Sequence, residues 1–190
     1  MAIQAVGRNI KYSAVNYIAV NLLKFIVRMV FVKILPIEYL GVNGLFTNVL
    51  AMLSLAELGI GPAIVYSLYK PLAYGDKETV KSIMRLFKKV YVAVGGIILF
   101  LGLMLFPFLD IFIKDGQCVP QVHYFYLVFL FNTVVSYLWT YKRSLLIADQ
   151  KQYVVNIYQA AVQVLVAVLQ MIFLLIFADY WCFIILMLLG

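Results

Sequence analysis

The chain has 190 residues, of which 66% are hydrophobic and only 12% are charged, and its net charge is +7. A soluble domain carries about 25% charged residues, so this composition excludes an ordinary soluble fold and indicates an integral membrane protein. The positive charge does not indicate a nucleic-acid-binding protein, because the basic residues are distributed between long apolar segments in alternate loops. We therefore predict no nucleic-acid partner.

Five apolar segments are predicted to cross the membrane as helices, and a sixth begins near the end of the chain. They cover residues 12–35, 41–66, 91–113, 122–141 and 153–177, and the sixth starts in the run 181–189. That last run is too short to cross a hydrocarbon core about 30 Å thick, so we expect the chain to be a fragment of a longer protein. The predicted fold is an all-α, polytopic membrane helix bundle that forms one domain over residues 1–190.

Basic residues are concentrated on one predicted side of the membrane. Eleven lie before the first span, between the second and third, or between the fourth and fifth, against Lys33 and Lys114 on the other side. This bias predicts a multi-pass protein with a cytoplasmic amino terminus. Residues 76–90 have apolar side chains on one side and lysines on the other, which predicts an amphipathic elbow at the cytoplasmic interface.

The first predicted span carries two cations on a polar helical face. Tyr17, Asn21, Lys24 and Arg28 fall within an arc of about 60° at 100° per residue. A cation at the bilayer centre costs about 2.5–3.5 kcal/mol on insertion scales. We therefore expect these side chains to face protein, water or an anionic ligand, and not lipid.

Polar stripes recur on other predicted spans, whereas the third has almost none. In the fifth span the stripe occupies about 60° and consists of Asn156, Gln159, Gln163 and Gln170. One interpretation is a water-filled cavity lined by spans one, two, four and five. The other is interhelical hydrogen bonding, which contributes about 0.6 kcal/mol per pair. We favour the cavity, because water satisfies every polar group whereas interhelical bonding needs a partner for each.

Glu57, in the second predicted span, has two interpretations. It forms a structural ion pair with Lys24 or Arg28, or it relays a proton or cation; we favour the ion pair, which relieves the desolvation of all three. The small and cyclic residues that follow are predicted to kink or end the helix and to serve as a hinge: Gly59, Gly61 and Pro62. In the third span, close helix packing is predicted at Gly95, Gly96 and Gly102.

Residue sets that carry enzymatic chemistry are not found in the sequence. Paired intramembrane carboxylates, His/Cys metal spacings and phosphate-binding glycine loops are all missing from the pattern. We predict that the protein is not an enzyme and has neither a metal site nor a cofactor.

Two stretches resemble a known family of membrane proteins. The segment LGVNGLFTNVLAMLSLAELGIGPAIVYSLYKPLAYGD (40–76) and the segment YLWTYKRSLLIADQKQYV (137–154) carry the resemblance. They are similar to the Wzx-like lipid-linked oligosaccharide flippases of polysaccharide biosynthesis, in the multidrug/oligosaccharidyl-lipid/polysaccharide exporter superfamily. The likeness covers the amino-terminal lobe of a two-lobe transporter.

The resemblance implies a translocase for undecaprenyl-pyrophosphate-linked oligosaccharides in the bacterial inner membrane. Such a protein works by alternating access in O-antigen or capsule synthesis, and its partners are the lipid-linked glycan, membrane lipid and polysaccharide polymerase or assembly proteins. By position and charge, Lys24 and Arg28 are candidates for holding the pyrophosphate, while the amide stripes suit the glycan. Two alternatives remain: a small-molecule or multidrug exporter of the same superfamily, and a truncated scaffold of a polysaccharide assembly complex.

Overall fold

The computed structural model describes residues 2–57, 59–113 and 119–188, with side chains from Ile18 onward apart from Ala56. Lys114, which the charge bias places on the outer side, and the Tyr17 side chain lie outside the described part. The described chain is almost entirely helical and contains no strand, so the predicted all-α fold is confirmed.

Eight α-helices and two short 3-10 turns follow one another within the described residues. The helices are α1 (Ala2–Ile34), α2 (Ile37–Leu53), α3 (Ile60–Tyr74), α4 (Lys77–Leu105), α5 (Leu109–Phe112), α6 (Val122–Ala148), α7 (Gln152–Phe177) and α8 (Tyr180–Met187). The 3-10 turns are Ser54–Glu57, after α2, and Phe106–Phe108, between α4 and α5. The sixth predicted segment corresponds to α8, and the first ends immediately before Pro36, as expected.

Three helical segments of the described chain, and not five, are long and apolar enough to cross a membrane. They are Lys77–Phe112, Val122–Ala148 and Gln152–Phe177, and they indicate a membrane protein. The second predicted span fails because it is split, leaving Ile37–Leu53 as a shorter apolar helix. The first predicted span is helical over its whole length. Its side chains are described only from Ile18 onward, and they include three cations. Its crossing of the membrane therefore remains a prediction.

The α-helix of the second predicted span is interrupted at Ser54–Glu57 and at Gly59. After the 3-10 turn Ser54–Glu57, Gly59 adopts a left-handed conformation with φ of +89°, which a side chain would strain. A new helix starts there, and its Ala63 N–H donates to the Gly59 carbonyl at 3.1 Å. Pro62 lies in the first turn, where a backbone donor has no partner within the helix. Pro62 is therefore tolerated at a helix start. Of the two outcomes that the sequence predicted, a kink or a helix end, the structure shows a helix end before these residues and no kink at Pro62.

The predicted elbow over 76–90 is not a separate element, because α4 runs unbroken from Lys77 to Leu105. Asp76 caps this helix: the Thr79 N–H donates to its Oδ1 at 3.0 Å and the Thr79 hydroxyl to its Oδ2 at 2.6 Å. The apolar side of the proposed elbow is half-buried in the protein. This apolar side therefore packs on the rest of the chain. The helix does not have to turn at residue 90 in order to bury it in the membrane surface.

The sequence predicted a single bundle over 1–190; the structure groups the chain into two compact units. The unit of residues 41–152 is built on α3, α4 and α6, which pack against one another. Its core includes Ile64 and Leu68 from α3, Ile98 from α4 and Leu130 from α6, all almost fully buried.

Two glycines allow α4 and α6 to approach closely. A Cβ built on Gly102 would lie 2.4 Å from the Leu130 Cδ1, and the Gly102 carbonyl accepts a hydrogen bond from the Tyr126 hydroxyl at 2.9 Å. Gly95 is also buried against α6. The packing role predicted for these two is confirmed. For Gly96 it is wrong, since nothing lies within 4 Å of its Cβ position.

The second unit comprises residues 1–40 with 153–190. An aromatic cluster joins α1 to α8: the Phe31 ring contacts Tyr180 and Phe183, with centroid distances of 5.9 and 4.8 Å. The Tyr39 ring lies 4.7 Å from that of Tyr180. Gln170 of α7 is buried and donates to the Phe183 carbonyl at 3.3 Å, which links α7 to α8.

Candidate functional site

A pocket of about 580 Å³ lies among α3, α4 and α6 in the unit of residues 41–152. Its volume falls within the range of about 300–1,000 Å³ that is usual for small-ligand sites. Its walls are largely apolar, with a few polar and aromatic side chains: Glu57, Tyr66, Tyr69, Tyr91, Thr140, Arg143 and Ser144.

The helix break brings the carboxylate of Glu57 to this pocket. Glu57 is the last residue of the 3-10 turn, is half-buried, and accepts a hydrogen bond from the Tyr91 hydroxyl at 2.8 Å. A Cβ built on Gly61 would lie 3.6 Å from the Tyr91 hydroxyl and 4.0 Å from the Glu57 Oε1. Since Gly61 has no side chain, nothing from this residue lies over the hydrogen-bonded pair of Glu57 and the buried Tyr91.

Helix α6 supplies a second polar wall. Thr140, Arg143 and Ser144 are spaced i, i+3 and i+4, so they lie on one helical face. Ser144 is buried, whereas Arg143 is exposed. The Thr140 hydroxyl donates to the Ser136 carbonyl at 2.8 Å, which leaves its oxygen as an acceptor. The pocket therefore combines a carboxylate, a guanidinium and hydroxyl groups.

The pocket lies where α4 changes from charged to apolar. Tyr91 lies two residues after Lys89, near the start of the apolar part of the segment that can cross the membrane. On the α3 side, the rings of Tyr66 and Tyr69 are 79% and 48% exposed, so their faces are available to a ligand. By the charge bias of the loops, this end of the helices is the predicted cytoplasmic end.

The predicted site residues are only partly brought together. Glu57, Gly61 and Pro62 line the pocket, while Gly59 is exposed at the helix break. The remaining candidates belong to the other unit: Asn21, Lys24 and Arg28 are exposed on α1, and Asn156, Gln159 and Gln163 are half-buried on α7. A cavity shared by spans one, two, four and five, and an ion pair of Glu57 with Lys24 or Arg28, therefore remain predictions.

One amide of the polar stripe on α7 forms a hydrogen bond between helices, as the second interpretation of these stripes expected. Gln170 is only 7% exposed and donates to the Phe183 carbonyl, so it holds two helices together. Within residues 2–57, 59–113 and 119–188, no group of three His, Cys, Asp or Glu residues is placed to hold a metal ion. The chemistry that the pocket offers is hydrogen bonding, aromatic contact and charge.

Three residues of the pocket were not predicted from the sequence: Tyr91, Arg143 and Ser144. Arg143 was grouped with the cytoplasmic loop charges, because the fourth span was predicted to end at residue 141, whereas α6 continues to Ala148. The pattern that could have predicted Arg143 and Ser144 is the row of polar side chains along α6, which includes Thr140. Extending it by one helical turn adds Arg143 and Ser144.

These features define a helical membrane protein with a largely apolar pocket, carrying a few polar groups, at the break of its second apolar segment. No protein-family model, curated protein or solved structure matches the chain. Its function is therefore argued from the site and from the charges on its helices.

Proposed function

We propose that the protein is a membrane translocase that moves undecaprenyl-pyrophosphate-linked oligosaccharide across the bacterial inner membrane for surface polysaccharide synthesis. The observation that carries this proposal is the helix break, formed by the 3-10 turn Ser54–Glu57 and by Gly59, beside a pocket with polar groups in its walls. Non-helical backbone within an apolar segment is tolerated where it lines a cavity or is buried in protein. Broken helices of this kind form the substrate sites of many transporters.

The pocket suits the glycan part of such a substrate. Sugar hydroxyls both donate and accept hydrogen bonds, and the pocket offers the Glu57 carboxylate, the Arg143 guanidinium and the Ser144 hydroxyl. The exposed faces of Tyr66 and Tyr69 offer flat apolar surfaces for the C–H faces of sugar rings. A lipid-linked sugar needs a polar shelter of this kind while its tail stays in lipid.

The charge on α1 suits the pyrophosphate. Lys24 and Arg28 are one helical turn apart and exposed, and no acidic side chain described within their own unit lies within 4 Å of either. The Arg28 guanidinium can engage two phosphate oxygens in a fork, and the Lys24 ammonium acts as a point charge. Alternating access between two packings would carry the substrate across, with Gly59, Gly61 and Pro62 as the hinge.

The test is a translocation assay in proteoliposomes. Purified protein is reconstituted with tritiated polyprenyl-pyrophosphate-linked oligosaccharide, and the fraction of glycan reached by an external glycosidase is followed over time. We expect protein-dependent exposure of the inner-leaflet glycan, and at least a tenfold lower rate in Lys24→Gln/Arg28→Gln. Lys33→Gln is the matched control, because it removes an exposed cation from the end of the same helix. Rates equal to those of empty liposomes would refute the proposal.

A second candidate function is export of small cationic molecules. Its supporting observation is that Glu57 shares the pocket with Tyr66, Tyr69 and Tyr91, and a carboxylate among aromatic rings attracts a cation. This function predicts ethidium efflux from vesicles that Glu57→Gln abolishes and Lys24→Gln/Arg28→Gln leaves unchanged. The flippase predicts no ethidium efflux, so the two readouts separate the candidates.

A further inference from the structure

We propose that the first half of α4 carries a binding site for anionic lipid headgroups at the membrane surface. The site is the basic face, which consists of Lys77, Lys81, Arg85, Lys88 and Lys89. These five side chains fall within about 120° of the helix circumference, and all are exposed. Glu78 also falls within this arc, at its distal end, but none of the five cations has an acidic partner within 4 Å among the described residues of 41–152.

The orientation of the basic face is fixed by the opposite side of the same helix. Val80, Ile83 and Phe87 lie on that side and are half-buried, and α3 and α6 both pack against α4. Burial of these apolar side chains holds the helix in one rotation, so the basic face points away from the protein. The cations are then free to meet a partner outside the bundle.

The continuity of α4 places one end of the basic face at the membrane surface. The helix runs without interruption into the apolar part of the segment Lys77–Phe112, which is long enough to cross a membrane. Lys88 and Lys89 therefore lie at the boundary of the hydrocarbon. At a rise of about 1.5 Å per residue, Arg85 lies about 6 Å beyond Lys89, Lys81 about 12 Å and Lys77 about 18 Å.

This geometry predicts a gradient along the basic face. The field of anionic headgroups decays over a Debye length of about 8 Å at physiological ionic strength. Lys88 and Lys89 lie within that distance and Arg85 near its limit, whereas Lys77 lies well outside. An acidic protein or a nucleic acid approaching from the cytoplasm would meet the distal end first. A lipid surface is favoured because the two cations nearest to it directly adjoin the apolar segment.

The experiment compares two double variants of the full chain that each remove two charges. Phosphatidylglycerol with a fluorescent acyl tail is titrated into detergent-solubilised protein, and binding is followed by anisotropy, with phosphatidylcholine as the neutral comparison. A cation near a membrane surface contributes about fivefold in affinity. We expect Lys88→Gln/Lys89→Gln to bind phosphatidylglycerol about 25-fold more weakly, and Lys77→Gln/Lys81→Gln to stay within about twofold of the unmodified protein.

Two further measurements, on a variant that restores the charge and with a soluble competitor, complete the experiment. Lys88→Arg/Lys89→Arg restores the charge and should restore binding, which separates a charge effect from a folding defect. Soluble glycerol phosphate should not displace the lipid, because the lipid tail holds the headgroup at the level of the basic face and the soluble headgroup has no such anchor. An equal loss in both double variants, displacement by glycerol phosphate, or no preference for phosphatidylglycerol over phosphatidylcholine would overturn the proposal. These readouts are independent of translocation, so failure here leaves the proposed function standing.

Discussion

Replacement of Gly102 by alanine tests the contact between α4 and α6 most sharply. The new Cβ would lie 2.4 Å from the Leu130 Cδ1, 2.9 Å from its Cδ2 and 3.2 Å from its Cγ. Leu130 is only 1% exposed, so it has little room to move away. Overpacking of a buried contact costs about 1–3 kcal/mol, and we expect Gly102→Ala to lower the free energy of unfolding by this amount.

The matched control lies six residues earlier on the same helix. Gly96 is exposed and has nothing within 4 Å of its Cβ position, so Gly96→Ala should be neutral or slightly stabilising through helix propensity. Unfolding is followed by circular dichroism during titration of mixed micelles with SDS. Adding Leu130→Ala to Gly102→Ala should remove the clash, so the two losses would sum to more than the loss in the double variant. Equal stability of the two glycine variants would refute the packing described for this interface.

Three further predictions concern the helix break and the start of α4. Tyr91→Phe removes the donor to Glu57 and should lower the free energy of unfolding by about 1.5 kcal/mol, measured in the same titration. Gly59→Ala forces a side chain into a left-handed conformation and should cost about 1–2 kcal/mol. The Thr79 hydroxyl and N–H hold the pKa of Asp76 below its usual value, so the cap is present above the unfolded-state pKa and is lost as the pH falls through the folded-state pKa. The protection of the Thr79 amide, which is its exchange rate compared with that of an unstructured amide at the same pH, should therefore fall in acid.

Each of these predictions has a control in the same unit. Tyr66→Phe changes an exposed tyrosine of the same pocket and should leave stability unchanged; a comparable loss there would contradict the role given to the Tyr91 hydroxyl. For Gly59→Ala the control is Gly96→Ala, which adds the same methyl group where the backbone is not left-handed. A loss of stability in Gly59→Ala alone would therefore come from backbone strain. Asp76→Asn should flatten the acid dependence of the protection of the Thr79 amide, and an unchanged pH profile of that protection would exclude Asp76 as its cause.

The long apolar helices could be predicted from composition and length. The fifth predicted span, 153–177, coincides with α7 to within one residue, and the apolar run after residue 180 is helical. These segments are marked by polar turns at both ends, such as the bend at Asp179, whose side chain accepts from the Trp181 N–H at 3.1 Å. Where polar turns flank an apolar segment in this way, hydropathy alone predicts the bounds of the helix.

The break of the second span could not be located from hydropathy, because residues 41–66 are apolar on both sides of it. Glycine and proline indicated irregular backbone, but only the conformation of Gly59 shows that one helix ends and another begins. The opposite error arose over 76–90. The change from charged to apolar residues suggested two elements, whereas α4 passes through it because its apolar side packs on the protein.

The pocket was predictable only in part, because its walls come from segments far apart in sequence. Glu57 and Gly61 stood out as polar or small residues within an apolar stretch. Tyr91 did not, because a tyrosine at the end of an apolar segment is ordinary at a membrane surface. Its role depends on the tertiary contact with Glu57, 34 residues away.

The central claim is that the cations on α1 bind the pyrophosphate of a lipid-linked glycan. The direct measurement is the equilibrium affinity of the detergent-solubilised protein for the pyrophosphate-linked glycan and for an uncharged analogue with the same lipid and sugar. We predict that the charged ligand binds at least tenfold more tightly, since a hydrogen bond to a charged group contributes about 1.5–3 kcal/mol. This preference should disappear in Lys24→Gln/Arg28→Gln and persist in Lys33→Gln. An undiminished preference in the double variant would contradict the claim.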